Sequence, residues 1–287
     1  MRILHTIPET QAVCRQARRD GKRIGLVPTM GALHEGHISL VKAARAQTEF
    51  VIASIFVNPL QFGPNEDFAK YPRTFEHDCQ LLESEGVAAV FAPTPEEMYP
   101  KDAATFVEVE GLPQKLEGRT RPTHFRGVTT VVNKLFNIVQ PDRAFFGQKD
   151  AQQVVIIQKM VSDLNMDLDV VVCPIVRERD GLALSSRNRY LSDEQRRQAL
   201  VLNRALMRIQ NDADRGESCA AKLIESGKSV VAEEPQVRLD YLEIVDRESL
   251  DPVDDISRGA LVAVAAFVGP TRLIDNIVLH GAGVGRR

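Results

Sequence analysis

Two histidines, His34 and His37, stand three positions apart in the stretch VPTMGALHEGHISL (27–40), with Glu35 and Gly36 between them. Imidazoles so spaced can ligate a metal, donate hydrogen bonds to an anion, or move a proton near neutral pH. Two ordinary surface histidines would look the same. A zinc-protease site needs H-E-x-x-H, with both rings on one face of a helix. Here the order is H-E-G-H, and no cysteine or further histidine lies near in sequence, so no protein ligand set for a metal is expected. Gly31 and Gly36 let the backbone turn tightly and approach a ligand. A helix starting near Gly36 would present free N–H groups and a partial positive charge, which favours a phosphate.

Three further segments carry polar groups suited to the same task. FVNPLQF (56–62) sets the amides of Asn58 and Gln61 in a proline-bent loop, and amides suit substrate hydroxyls and carboxylates. A turn stabilised by Asn58 is the simpler reading of that loop alone. FGQKD (146–150) offers Lys149 as a point charge for a phosphate. Asp150 can cap the following helix or reach a ribose or a metal, and Gln153 lies one turn on. LALSSRNRYLS (182–192) brings Ser185, Ser186 and Arg187 together, as a phosphate clamp or as a solvated linker. Two decoys carry nothing. HGAGVGRR (280–287) looks like a dinucleotide loop, but no helix follows and it reads as a flexible tail. The P-loop pattern G-x-x-x-x-G-K-[ST] is missing.

These segments need a frame. RIGLVPT (23–29), FVIASIFV (50–57), VAAVFAP (87–93), RAFFGQ (143–148) and LDVVVCPIV (168–176) read as buried strands. Helical spacing fills the intervals: Ile38, Leu40, Val41 and Ala44; then 74–85 with Phe75, Cys79, Leu81 and Leu82 as core; then 127–140 with Val128, Val131, Val132, Leu135 and Val139; then 150–163. Such alternation predicts an α/β fold, a parallel sheet with helices on both faces. Ligands bind such a sheet beyond the carboxyl ends of its strands. Three of the four segments fall there, and the fourth falls at a domain join. Read together, they predict a nucleoside triphosphate site.

After about residue 178, helical stretches at 193–214 and 217–232 precede DYLEIV, ALVAVAAFVG and TRLIDNIVL, the order of a small α+β unit with an antiparallel sheet. The expected domains are 1–178 and 179–287. With 26% charged residues and a net charge of −3, the chain has no overall basic character, so neither nucleic acid nor a membrane surface is expected as partner. No apolar run is long enough to span a membrane. The segment MRILHTIPETQAV lacks the apolar stretch of a secretory signal and breaks at Pro8, so a cytoplasmic location is expected. Cys14, Cys79 and Cys173 lie in helix- or strand-like segments and read as buried thiols.

PTMGALHEGH, FVNPLQF, EDFAKYPRT, HFRGVTTVVNKLF, FFGQKDAQQ and GLALSSRNRYL resemble, in the same order, the motifs of the pantothenate synthetase (pantoate–β-alanine ligase) family. The H-x-G-H turn is similar to the signature of the wider nucleotidyltransferase superfamily. The resemblance implies a Rossmann-like domain with a smaller C-terminal α+β lid domain, and a homodimer. It also implies ATP as substrate, with Mg²⁺ on the triphosphate, and ligation of pantoate to β-alanine through a pantoyl adenylate.

Carried over by motif, Met30, Gly31, Ala32, Leu33, His34, Glu35, Gly36 and His37 would line the ATP site. Gly147, Gln148, Lys149, Asp150, Val176, Leu184, Ser185, Ser186 and Arg187 would complete it. Gln61 and Gln153 would hold pantoate, Gln61 also reaching β-alanine, with Asn58 nearby. His37, His34, Lys149 and Arg187 would carry the catalytic charge. The family role of His37 is proton donor; a hydrogen-bond donor to phosphate is the alternative. Gln148 departs from the family, standing where an acid is common.

Overall fold

A computed structural model describes residues 1–64, 66 and 68–281; the glycine-rich tail beyond Gly281 lies outside the described residues. In chain order the elements are β1 (Arg2–Leu4), α1 (Ile7–Arg19), β2 (Ile24–Thr29), α2 (Glu35–Gln47), β3 (Phe50–Ile55), α3 (Phe75–Ser84), β4 (Ala89–Phe91) and α4 (Pro95–Met98). There follow α5 (Glu117–Thr120), α6 (His124–Val139), β5 (Arg143–Gly147), α7 (Ala151–Asp163), β6 (Asp169–Cys173), α8 (Asp193–Asp214), α9 (Ala220–Val231), β7 (Val237–Val245), β8 (Ala260–Val268) and β9 (Thr271–Leu279).

The chain divides into two compact units. The first holds Met1–Gln114, Gly118–Gln148 and Gln153–Pro174; the second holds Lys115–Glu117, Lys149–Gln152 and the chain from Ile175 onward. The main boundary thus falls four residues before the expected 178/179. Two short pieces of the expected first domain group with the second unit.

In the first unit a six-stranded sheet runs in the order β1-β4-β3-β2-β5-β6, with every pairing parallel. Ile24, Leu26, Ile52, Phe91 and Phe145 have no exposed surface at its centre. The segment 127–140 tests the sequence reading, because its valines and threonines disfavour a helix by up to about 0.7 kcal/mol each. Burying a side chain of valine or leucine size returns about 1.5–3 kcal/mol. Val128, Val131, Val132, Leu135 and Val139 are all buried, so packing decides for helix. Thr129 and Thr130 donate their hydroxyls to the carbonyls of Phe125 and Arg126, at 2.8 and 2.7 Å, within the same helix.

Three expectations fail in whole or in part. Pro8 does not break the N-terminal segment. It sits in the first turn of α1, behind a reciprocal Thr6–Glu9 cap, where a missing N–H costs nothing. The expected core face of α3 holds only in part: Leu82 is buried and Leu81 packs against the core, but Phe75 is 36% exposed and Asp78 is fully buried. Among the cysteines, all free, Cys14 and Cys173 are buried as expected while Cys79 is half-exposed. Burial raises the Cys14 thiol to about 11.

In the second unit α8 and α9 pack against an antiparallel meander, β7-β8-β9, over a core that includes Leu202, Leu206, Leu223, Leu242 and Val264. No described helix is long and apolar enough to cross a membrane.

Candidate active site

Strand order reverses beside β2, which pairs with β3 on one side and β5 on the other. The β2–β5 register covers only Gly25–Arg143 and Leu26–Ala144, although the strands continue to Thr29 and Gly147. Their carboxyl halves are therefore not laced together. That is the switch point where open α/β sheets take ligands. Met30 to His37 leave β2 there, and Gly147 and Gln148 leave β5.

The turn into α2 is held from several sides. The Thr29 hydroxyl donates to the Ser54 carbonyl at 2.7 Å and accepts the Gly31 N–H at 3.1 Å. Gly31 and Ala32 both adopt left-handed backbone, with φ of 81° and 51°. The first suits glycine, while the second is uncommon for alanine. Asp78 accepts the N–H groups of Ala32 and Leu33, each at 2.9 Å. His34 then caps the helix, its Nδ1 accepting the Gly36 N–H at 3.2 Å. His37 Nδ1 accepts the His34 N–H at 3.3 Å.

This geometry narrows the expectation of free helix N–H groups. In the first turn of α2 the Gly36 N–H is taken by the His34 ring, and in the turn before it those of Gly31, Ala32, Leu33 and His34 are taken by other side chains. The imidazoles gain definition in return. A ring nitrogen that accepts cannot carry the proton, so both neutral rings carry it on Nε2. The rings lie 4.1 Å apart between centroids. Two imidazolium cations at that distance would repel, and each would lose its cap contact.

The amide loop follows β3. A turn of 3-10 helix spans Pro59–Gln61, capped by the Asn58 side chain. Expected as a substrate contact, Asn58 is 1% exposed and committed to the protein. Its Nδ2 donates to Gln61 Oε1 at 3.2 Å and to the Gly127 carbonyl at 3.0 Å. Its Oδ1 accepts from the Leu60 N–H at 3.3 Å and from the Tyr99 hydroxyl at 2.9 Å. Burial pushes the Tyr99 phenol well above its usual range, so it stays a donor. Asn58 thus orients Gln61, whose Nε2 points to the Met30 sulfur at 3.0 Å.

Glycine at 127 allows the close approach of α6. A Cβ there would stand 2.3 Å from the Leu60 carbonyl oxygen. The Gln61 carbonyl accepts from His124 Nδ1 at 2.9 Å. Arg121 meets His124 Nε2 at 3.3 Å and pairs through two nitrogens with Glu66. Burial would raise the Glu66 carboxyl, but Arg121 more than offsets it and holds the group below its usual range.

In the second unit, Lys149 lies 3.5 Å from Asp150. Its carbonyl accepts from the buried Asn276 amide of β9 at 2.9 Å. The neighbouring Gln152 side chain bonds the Lys115 carbonyl at 2.7 Å and the Glu117 N–H at 2.8 Å. The SSRN segment is built rather than loose. Leu184 N–H meets the Val176 carbonyl at 3.0 Å, and Ser185 caps a 3-10 helix over Ser186–Tyr190 by accepting from Arg187 N–H at 3.2 Å. Asn188 ties that helix to Glu178 at 3.1 Å and to the Ala183 carbonyl at 3.0 Å. Gln153, half-buried on α7, belongs to the first unit.

The first unit therefore pairs His34 with His37 and Gln61 with Met30, and the second holds Lys149, Asp150 and Ser185–Arg187. The sequence reading missed Asp78, Tyr99, Gly127 and the Arg121–His124–Glu66 group. Glu66, His124 and Gly127 lie inside the motifs EDFAKYPRT and HFRGVTTVVNKLF, and Asp78 stands four residues before Leu82, on the stripe that α3 buries.

A parallel sheet with an imidazole pair and an oriented amide at its switch point defines an α/β enzyme for small anionic substrates. Comparison with known proteins narrows that class. The family model for pantoate-beta-alanine ligase matches residues 2–278. The pantothenate synthetase of Koribacter versatilis (strain Ellin345) is 64% identical over 286 residues, 100% of this chain and 98% of its own. The crystal structure of pantothenate synthetase from Thermus thermophilus matches with TM-score 0.92 at 49% identity, covering 96% of this chain and 99% of that one. A pantoate-beta-alanine ligase from Francisella tularensis, in complex with beta-gamma ATP and beta-alanine, matches at TM-score 0.78 and 34% identity, with 97% of each chain covered. The chain belongs to the pantoate–β-alanine ligase family.

Proposed function

We propose that this chain condenses pantoate with β-alanine at the expense of ATP, through a pantoyl adenylate, releasing pyrophosphate and then AMP. A pantoate carboxylate oxygen attacks the α-phosphorus and pyrophosphate leaves. The β-alanine amine then attacks the acyl carbonyl, and AMP leaves with the oxygen that pantoate supplied. Carboxylates are ionised at neutral pH, near a reference pKa of about 4, so the first step needs alignment and charge stabilisation rather than a base.

The observation that carries this reading is the His34–His37 pair beyond β2, each ring accepting a backbone N–H at Nδ1, together with the Gln61 amide oriented by Asn58. Neutral donors fixed in place stabilise developing negative charge without reorganising. Lys149, Arg187, Ser185 and Ser186 are assigned to the phosphates, with Asp150, Val176, Leu184, Gly147 and Gln148 around the nucleotide. Gln61 and Gln153 are assigned to pantoate, and Gln61 also to β-alanine.

Among the described residues no group of three His, Cys, Asp or Glu could hold a metal ion. Mg²⁺ is taken to arrive on the triphosphate, as part of the substrate, through phosphate oxygens and water. A homodimer and a cytoplasmic location accompany the proposal as family expectations.

Pyrophosphate release tests the reading. It should require both ATP and pantoate, with AMP and the amide appearing once β-alanine is added. Release driven by another acid with pantoate inert, or a nucleotide kept in a stable product, would contradict it.

A further inference from the structure

We propose that Asp78 is a positioning residue for this reaction, acting through the histidine pair. The inference rests on the function proposed above.

Asp78 lies on α3, far in sequence from the turn it holds. It has no exposed surface. One carboxylate oxygen accepts the Ala32 N–H and the other the Leu33 N–H, each at 2.9 Å. The Thr74 hydroxyl donates to Oδ1 at 3.1 Å. A buried carboxylate is costly unless hydrogen bonds satisfy it. Two backbone N–H groups can do so here only if the turn is left-handed at Gly31 and Ala32, with φ of 81° and 51°. Space enforces the same shape, since a Cβ on Gly31 would lie 3.0 Å from Asp78 Oδ2. The next residue is His34, whose backbone N–H and ring Nδ1 define both histidine tautomers. Asp78 thus sets where the Nε2–H donors of His34 and His37 stand.

Asp78→Asn tests this sharply, because an amide offers one oxygen and turns an NH₂ towards the other backbone N–H. Misplacing a reacting group by about 1 Å can cost roughly 10²-fold in rate. Asp78→Asn should therefore lower kcat for pantoate-dependent pyrophosphate release by about 10–100-fold, with the KM for ATP changed less than about threefold. In a His37→Ala background the same substitution should add less than about threefold, since both act through one group. Leu82→Ala, on the same helix, should lower Tm without lowering kcat below Tm. Thr74→Val should lower kcat by about 3–10-fold, as loss of one hydrogen bond predicts, and decides the matter if Asp78→Asn does not fold. Wild-type kcat in folded Asp78→Asn or in Thr74→Val, or full additivity with His37→Ala, would overturn the proposal. Imidazole ¹⁵N spectra without substrate separate it from the ligase reading. Wild-type enzyme should show Nε2–H tautomers at His34 and His37, and Asp78→Asn should lose them. An unchanged spectrum overturns the role of Asp78 whatever the enzyme's substrate proves to be.

Discussion

His34 and His37 each commit Nδ1 to a backbone N–H, and that commitment decides what they can do. While neutral, each ring carries its proton on Nε2. Protonation would place an N–H against another N–H and two cations 4.1 Å apart. On the proposed function, the pair serves as a fixed donor set rather than as a proton relay. His37→Ala should lower kcat by about 10²–10³-fold, the usual loss for one charge-stabilising donor. Steady-state kinetics on variant protein with an unchanged circular dichroism spectrum would measure it. A role that needs the His37 cation would lose turnover as pH rises past neutrality. Neutral donors predict no such fall, and a profile of kcat from pH 6 to 8.5 tells the two apart.

At the scale of elements, α6 governs the amide loop. Gly127→Ala would drive a methyl to 2.3 Å from the Leu60 carbonyl and 2.6 Å from the Gln61 N–H. The expected result is a raised KM for pantoate, with kcat less affected, and about 1–3 kcal/mol of lost stability. A pantoate titration and a denaturant melt would show both. The elements themselves were largely legible in the sequence. The strands after Arg23, Phe50 and Arg143, and the helices over 127–140 and 193–214, follow from apolar periodicity, because burial outweighs propensity there. What was not legible is long-range. Asp78 defeats the amphipathic reading of α3 because its partners lie at Ala32 and Leu33. Asn58 looks like a ligand amide until Tyr99 and Gly127 are seen to saturate it. Free helix N–H groups were expected from local sequence alone, and of these the Gly36 N–H is taken by the His34 ring, while α3 holds the turn that precedes the helix.

Across the whole molecule, stability should depend on acid pH in a defined direction. Arg121 lowers Glu66, and the hydrogen bonds and charge of Arg23 take Glu49 to about 2. Both carboxyls therefore bind protons less readily folded than unfolded. Their contribution is present above the unfolded value, near 4.5, and is lost as pH falls through the folded values. Thermal melts from pH 7 down to 3 should show Tm falling less steeply below pH 4.5 in Glu66→Gln than in wild type. Equal slopes would remove Glu66 from that account.

The central claim is that a pantoate oxygen passes to the α-phosphorus before the amide forms. Pantoate labelled with ¹⁸O in its carboxylate, incubated with ATP and β-alanine and analysed by mass spectrometry, tests this directly. The account predicts AMP carrying one ¹⁸O and pantothenate retaining the other. Label in pyrophosphate or inorganic phosphate, or unlabelled AMP beside newly formed amide, would contradict it.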